Sequence, residues 1–121
     1  MITQYPVRTI DLAVLRENVR LIRASLPQRT LLMAVVKADA YGHGIVQVAR
    51  NALHAGADWL AVARADEGIV LRDAGVQAPI LVLGAASGLE IGDGVQHELT
   101  LTVTDPRMVY AVQRHAEKAD R

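Results

Sequence analysis

The sequence predicts an α/β fold with parallel strands, on three observations. Strand-like and helix-like patterns alternate four times, the connections between them are short, and no Pro/Ser-rich linker interrupts the series. Right-handed crossovers between parallel strands leave two architectures, an open α/β sheet or a piece of a (β/α) barrel. At 121 residues, 51% of them hydrophobic, the chain is large enough to bury one core.

The elements follow in order. Val7–Leu12 reads as a short strand or lead-in ending near Asp11, whose carboxylate suits a helix N-cap. Leu12, Leu15, Val19, Ile22 and Leu26 then recur at helical spacing, with Arg16, Arg20 and Arg23 assigned to the solvated face and Pro27 as the stop. Leu31–Val36 is continuously apolar, as expected of a strand buried on both faces. A helix from Ile45 turns Val48, Ala49, Ala52 and Leu53 inward and closes at Gly56.

Trp59–Ala63 is the next strand, and Arg64–Ala74 the helix after it, closed by Gly75. Asp66 and Glu67 sit at that helix's start, where acidic groups complement the dipole. Pro79–Leu83 is a third strand. The glycine-rich stretch Ala85–Glu98 holds at most a helical turn or two, and Leu99–Val103 is a fourth strand. Asp105–Pro106 opens a last helix whose apolar face is Met108, Val109 and Val112.

Composition narrows the function. Thirteen basic and thirteen acidic residues are mixed along the chain, with no basic block or aromatic–basic interleaving, so no nucleic-acid partner is expected. Cysteine is absent, which excludes disulfides and thiolate metal sites. His43, His54, His97 and His115 show no metal-ligand spacing, so no metal is expected. No apolar stretch approaches the roughly 20 residues of a membrane span. The N-terminus lacks the layout of a signal peptide, so the expected location is cytoplasmic.

Chemistry concentrates in Ala34–Gly44, A-V-V-K-A-D-A-Y-G-H-G. Lys37 is one of two lysines, with Lys118, and stands at the end of an apolar strand. Desolvation there can turn its amine into a nucleophile toward an aldehyde; a snorkelling lysine is the plain alternative. Tyr41-Gly-His-Gly leads into a helix N-terminus, where backbone N–H groups and a tyrosine hydroxyl favour an anion such as phosphate; an ordinary tight turn is the alternative.

Taken whole, A-V-V-K-A-D-A-Y-G-H-G resembles the cofactor-lysine signature of the bacterial alanine racemases, enzymes that use pyridoxal 5′-phosphate (PLP) on a (β/α) TIM-type barrel. T-I-D-L-A-V-L-R-E-N-V before it, and W-L-A-V-A-R-A-D-E-G-I-V-L-R-D-A-G-V and P-I-L-V-L-G after it, are similar to the same family in the same order, over about Thr9–Val103. The resemblance implies about four βα units of that barrel, with residues 1–121 a partial PLP-binding domain. It implies that the activity is interconversion of L- and D-alanine, supplying D-alanine for peptidoglycan. Lys37 would carry PLP and act as one of two acid–base groups at the substrate Cα, Tyr41 would contact the cofactor phosphate, and Val36 and Leu83 would lie close to the ring.

In that family the barrel continues and is followed by a β-rich domain. The second catalytic tyrosine and the pyridine-nitrogen arginine belong to those later parts, and the tyrosine acts across a homodimer interface. The chain is therefore expected to be a partial barrel, inactive alone, that self-associates through open sheet edges. A non-catalytic PLP-binding half-barrel or a purely structural fragment is the alternative.

Overall fold

The structure, a computed structural model, describes residues 5–121. The reading of Met1–Gln4 as part of a leaderless N-terminus lies outside the described residues. The elements run α1 (Leu12–Ser25), β1 (Met33–Val35), a single turn α2 (Lys37–Gly42), α3 (Ile45–His54), β2 (Trp59–Val62), α4 (Ala65–Asp73), β3 (Ile80–Ala85), α5 (Leu89–Gln96), β4 (Thr100–Thr102) and α6 (Pro106–Lys118).

All four strands are parallel and lie in the order β1-β2-β3-β4, each hydrogen-bonded to the next in sequence. A doubly wound sheet reverses its strand order and carries helices on both faces; this sheet does neither. Side chains on a strand alternate between faces. Leu60, Val62, Ile80 and Val82 are fully buried, and they join Val36, Ala49 and Leu71 in one core between sheet and helices. The opposite residues Met33, Val35 and Leu83 stay exposed. Helices on one face of a sequentially ordered parallel sheet make an arc of a (β/α) barrel, which settles the alternative left open above.

The predicted elements are present with bounds shifted by a residue or two, and several details differ. Residues 5–11 form no strand, which leaves the lead-in, and Asp11 caps α1 as its residue type suggests, accepting from Ala13 N and Val14 N at 2.9 and 3.1 Å. Leu31–Val36 is a strand over Met33–Val35 alone and is not buried on both faces, because among the described residues one face of the sheet has no cover and β1 lies at its edge. Arg16 and Arg23 do not face solvent. Helix α1 packs on α3, so Arg16 bonds Asn51 and Arg23 pairs with Asp58, while Ile22 turns outward. On α6, Met108 is buried with Ile91 and Ala86, whereas Val109 is exposed. Among the described residues, no helix is long and apolar enough to cross a membrane.

Candidate active site

β1 ends at Val35, Val36 leaves the extended conformation with ψ 19°, and Lys37 follows just beyond the carboxyl end of the strand, where barrel sheets carry their reactive groups. Lys37 is half-buried, and none of the ion pairs among the described residues involves it. Its amine is therefore not committed to a surface salt bridge.

The turn after it has an unusual hand. Ala38, Asp39, Ala40 and Tyr41 all have φ between 52° and 56° and ψ between 33° and 51°, a full left-handed turn built without glycine. Left-handed helical geometry costs an L-residue about 1–2 kcal/mol because Cβ crowds the carbonyl oxygen, less for Asp, so the turn must be held from outside. The holding bonds are specific. Ala40 N donates to Val36 O (2.9 Å), His43 N to Ala40 O (3.1 Å) and Gly44 N to Asp39 O (2.9 Å).

The Asp39 carboxylate accepts from Ile45 N at 2.8 Å and so caps α3 from within the turn. Gly44, at φ 94°, is the hinge that lets the chain leave the turn and enter that helix. His43 Nδ1 lies 2.8 Å from Ala40 O. A carbonyl oxygen only accepts, so Nδ1 carries the proton of that bond.

A tie from α4 completes the arrangement. Glu67 Oε1 accepts from Ala38 N at 2.6 Å, and Oε2 accepts from Ala63 N at 2.6 Å and Arg64 N at 3.1 Å. Beside it β3 approaches β2 closely: a Cβ at Gly84 would lie 2.7 Å from the Ala63 carbonyl oxygen. The sequence places Asp66 and Glu67 only at a helix start. That Glu67 reaches across 29 residues to the lysine's own peptide depends on tertiary placement that no local pattern signals.

The predicted site residues are distributed as follows. Tyr41 is 61% exposed on the left-handed turn, with the Arg8 guanidinium against neighbouring Gly42. Leu83 is 42% exposed on the open face of the sheet. Val36 is 1% exposed, packed in the helix-side core, so its side chain is not available to a ring on the open face. Val35, 43% exposed, stands on the uncovered side, because strand alternation puts residue 35 and not 36 there. The backbone N–H groups ahead of α3 are not all free for an anion, since Asp39 occupies that of Ile45.

An amine at a strand end, a hydroxyl on the adjoining turn and two aliphatic side chains on the open face match the aldehyde, phosphate and flat ring of PLP in chemical kind. Among the described residues, no cluster of three or more His, Asp or Glu could hold a metal ion.

Residues 10–121 match the family described as alanine racemase, N-terminal domain. The chain is 55% identical over 97 residues to the alanine racemase of Synechocystis sp., covering 80% of this chain and 26% of that protein. It is 53% identical over 94 residues to that of Geobacillus stearothermophilus, covering 78% and 24%. Among solved structures, alanine racemase from the D-cycloserine-producing Streptomyces lavendulae superposes with a TM-score of 0.86 at 40% identity, over 93% of this chain and 29% of that one. The Bacillus anthracis alanine racemase with bound L-Ala-P gives 0.83 at 41% identity, over 90% and 28%. The chain thus spans less than a third of the length of these relatives.

Proposed function

The chain belongs to the alanine racemase family through its N-terminal domain, and from that premise we propose that it is the PLP-carrying part of a racemase acting on alanine. The observation that carries the reading is Lys37: a half-buried amine outside every ion pair among the described residues, at the carboxyl end of β1, presented by a left-handed turn.

When bound, PLP supplies the electron sink that makes a substrate Cα–H acidic. The chain's residues do the rest on one side of the site. Lys37 anchors the cofactor and moves a proton at Cα on one face. The Tyr41 hydroxyl would donate to the phosphate, and Val35 and Leu83 would lie against the ring and exclude water. Return of the proton from the opposite face requires a second acid–base group, which no residue of this chain is assigned to supply. A cytoplasmic place of action, and a homodimer or other self-association through the open sheet, go with the reading.

The test is PLP titration of the chain, borohydride reduction and peptide mass mapping. The reading expects a reduced adduct on Lys37 and not on Lys118, abolished by Lys37→Ala; equal labelling of the two lysines would defeat it. With an acid–base group on one face only, the chain is expected to exchange the proton of alanine Cα with solvent without inverting the configuration. Racemisation of alanine that depends on both PLP and Lys37 would contradict that expectation.

A further inference from the structure

Glu67 makes more bonds than its position in α4 requires. As the third residue of the helix it needs only to accept from Arg64 N, the amide that precedes the first turn. It also accepts from Ala63 N at the end of β2 and, with its other oxygen, from Ala38 N at the end of β1, both at 2.6 Å. The Ala38 N–H belongs to the peptide whose carbonyl is that of Lys37, and Ala38 is the first residue of the left-handed run, at φ 52° and ψ 51°.

A carboxylate fixed on that N–H sets the orientation of the peptide leaving Lys37 just where the chain enters a conformation it would not choose locally. Asp39, the other acid of the turn, acts further along, on Ile45 N, and does not substitute for it.

We propose that Glu67 is a positioning residue for Lys37: its carboxylate couples the ends of β1 and β2 and holds the Lys37–Ala38 peptide in the orientation that presents the amine. This rests on the reading of Lys37 as the cofactor lysine, and its chemistry is separable from helix capping. Glutamine keeps the size of the side chain but replaces one acceptor oxygen with a donor, so it cannot serve Ala38 and Ala63 together. Aspartate, one methylene shorter, still caps and complements the α4 dipole but cannot span to Ala38.

The experiment compares the full 121-residue chain with Glu67→Gln and Glu67→Asp by amide hydrogen exchange at Ala38 and Ala63, and by the rate of borohydride-trapped PLP on Lys37. Reductive methylation of Lys37 with formaldehyde provides a cofactor-free measure of the same amine. In both variants Ala38 exchange should accelerate roughly ten-fold or more, the equivalent of one lost charge-assisted hydrogen bond. The rates at which Lys37 takes PLP and formaldehyde should change with it, while circular dichroism and urea midpoint of Glu67→Asp stay near the parent's. Unchanged Ala38 exchange and unchanged Lys37 rates in Glu67→Asp would overturn the proposal, even if Glu67→Gln failed to fold. A parent chain that takes no PLP on Lys37 defeats the cofactor reading alone, because exchange and methylation still decide the role of Glu67.

Discussion

The two ends of the sheet are held by opposite charges. At the amino end, where helices finish and strands begin, most ties are cations on carbonyl groups, with Asp58 accepting from Leu32 N as the exception. Arg72 donates to four of them: His97 O (3.0 Å), Val76 O (2.7 Å), Ala78 O (2.8 Å) and Glu98 O (3.0 Å). Arg50 reaches Ala74 O, and Arg23 reaches Pro27 O. At the carboxyl end the ties are carboxylates on N–H groups: Glu67 on Ala38, Ala63 and Arg64, and Asp39 on Ile45.

The difference follows from backbone polarity. Helix C-termini leave carbonyls unpaired and helix N-termini leave N–H groups unpaired, and parallel βα units place all ends of one kind on the same side. Strain is the second difference. The amino-end ties hold ordinary loops, whereas the carboxyl-end acids surround four consecutive left-handed residues next to the one candidate catalytic amine. Similar chemistry thus serves stability at one end and the geometry around the candidate amine at the other, as barrels commonly divide their two faces.

Substitutions can break this comparison, the largest effect first. Arg72→Met strands several carbonyls inside the amino-end loops. At about 0.5–1.5 kcal/mol net for each bond to a part-buried carbonyl, the four together should cost a few kcal/mol in urea unfolding. Burial pushes this guanidinium below its ordinary value while Glu98 acts the other way, yet an arginine stays charged in the protein, so the clip should persist across the working pH range.

Gly84→Ala is next. Its Cβ would meet a backbone oxygen, not a flexible side chain, so β3 must move away from β2, at about 1–3 kcal/mol. That shift should reduce PLP capture as well as the unfolding midpoint. Asp39→Ala removes the α3 cap and the turn residue best suited to left-handed geometry. It should cost about 0.5–2 kcal/mol and also slow Lys37 labelling, whereas Asp39→Asn, which caps and tolerates positive φ, should stay near the parent in both. The smallest effect belongs to Asp58→Ala, which frees Leu32 N and Arg23 at a half-exposed site and should lower the urea midpoint slightly without touching Lys37.

Much of this was legible in residue order. The alternation of Leu31–Val36, Trp59–Ala63 and Pro79–Leu83 with helical patterns gives the parallel sheet, and the caps at Asp11 and Asp105 read directly from residue type. The glycine-rich stretch holds about two turns of helix, α5, the upper limit expected of it.

What escaped has a common cause. A continuous apolar run says nothing about which face of a sheet is covered, so Val36 and Val35 could not be told apart until alternation was anchored by the helices. The left-handed turn has no local signature, because A-D-A-Y contains no glycine and its conformation is imposed by Glu67, Asp39 and their backbone partners. The outward assignment of Arg16 and Arg23 likewise failed because their partners, Asn51 and Asp58, are each 35 residues away.

The most direct test measures Arg72→Met and Asp39→Ala side by side for urea stability and for borohydride-trapped PLP on Lys37 per folded molecule. The two properties should separate: Arg72→Met loses the more stability yet labels Lys37 as the parent does, and Asp39→Ala labels Lys37 more slowly with a modest change in stability. Parallel loss of both properties in both variants would contradict the division of labour between the two ends of the sheet.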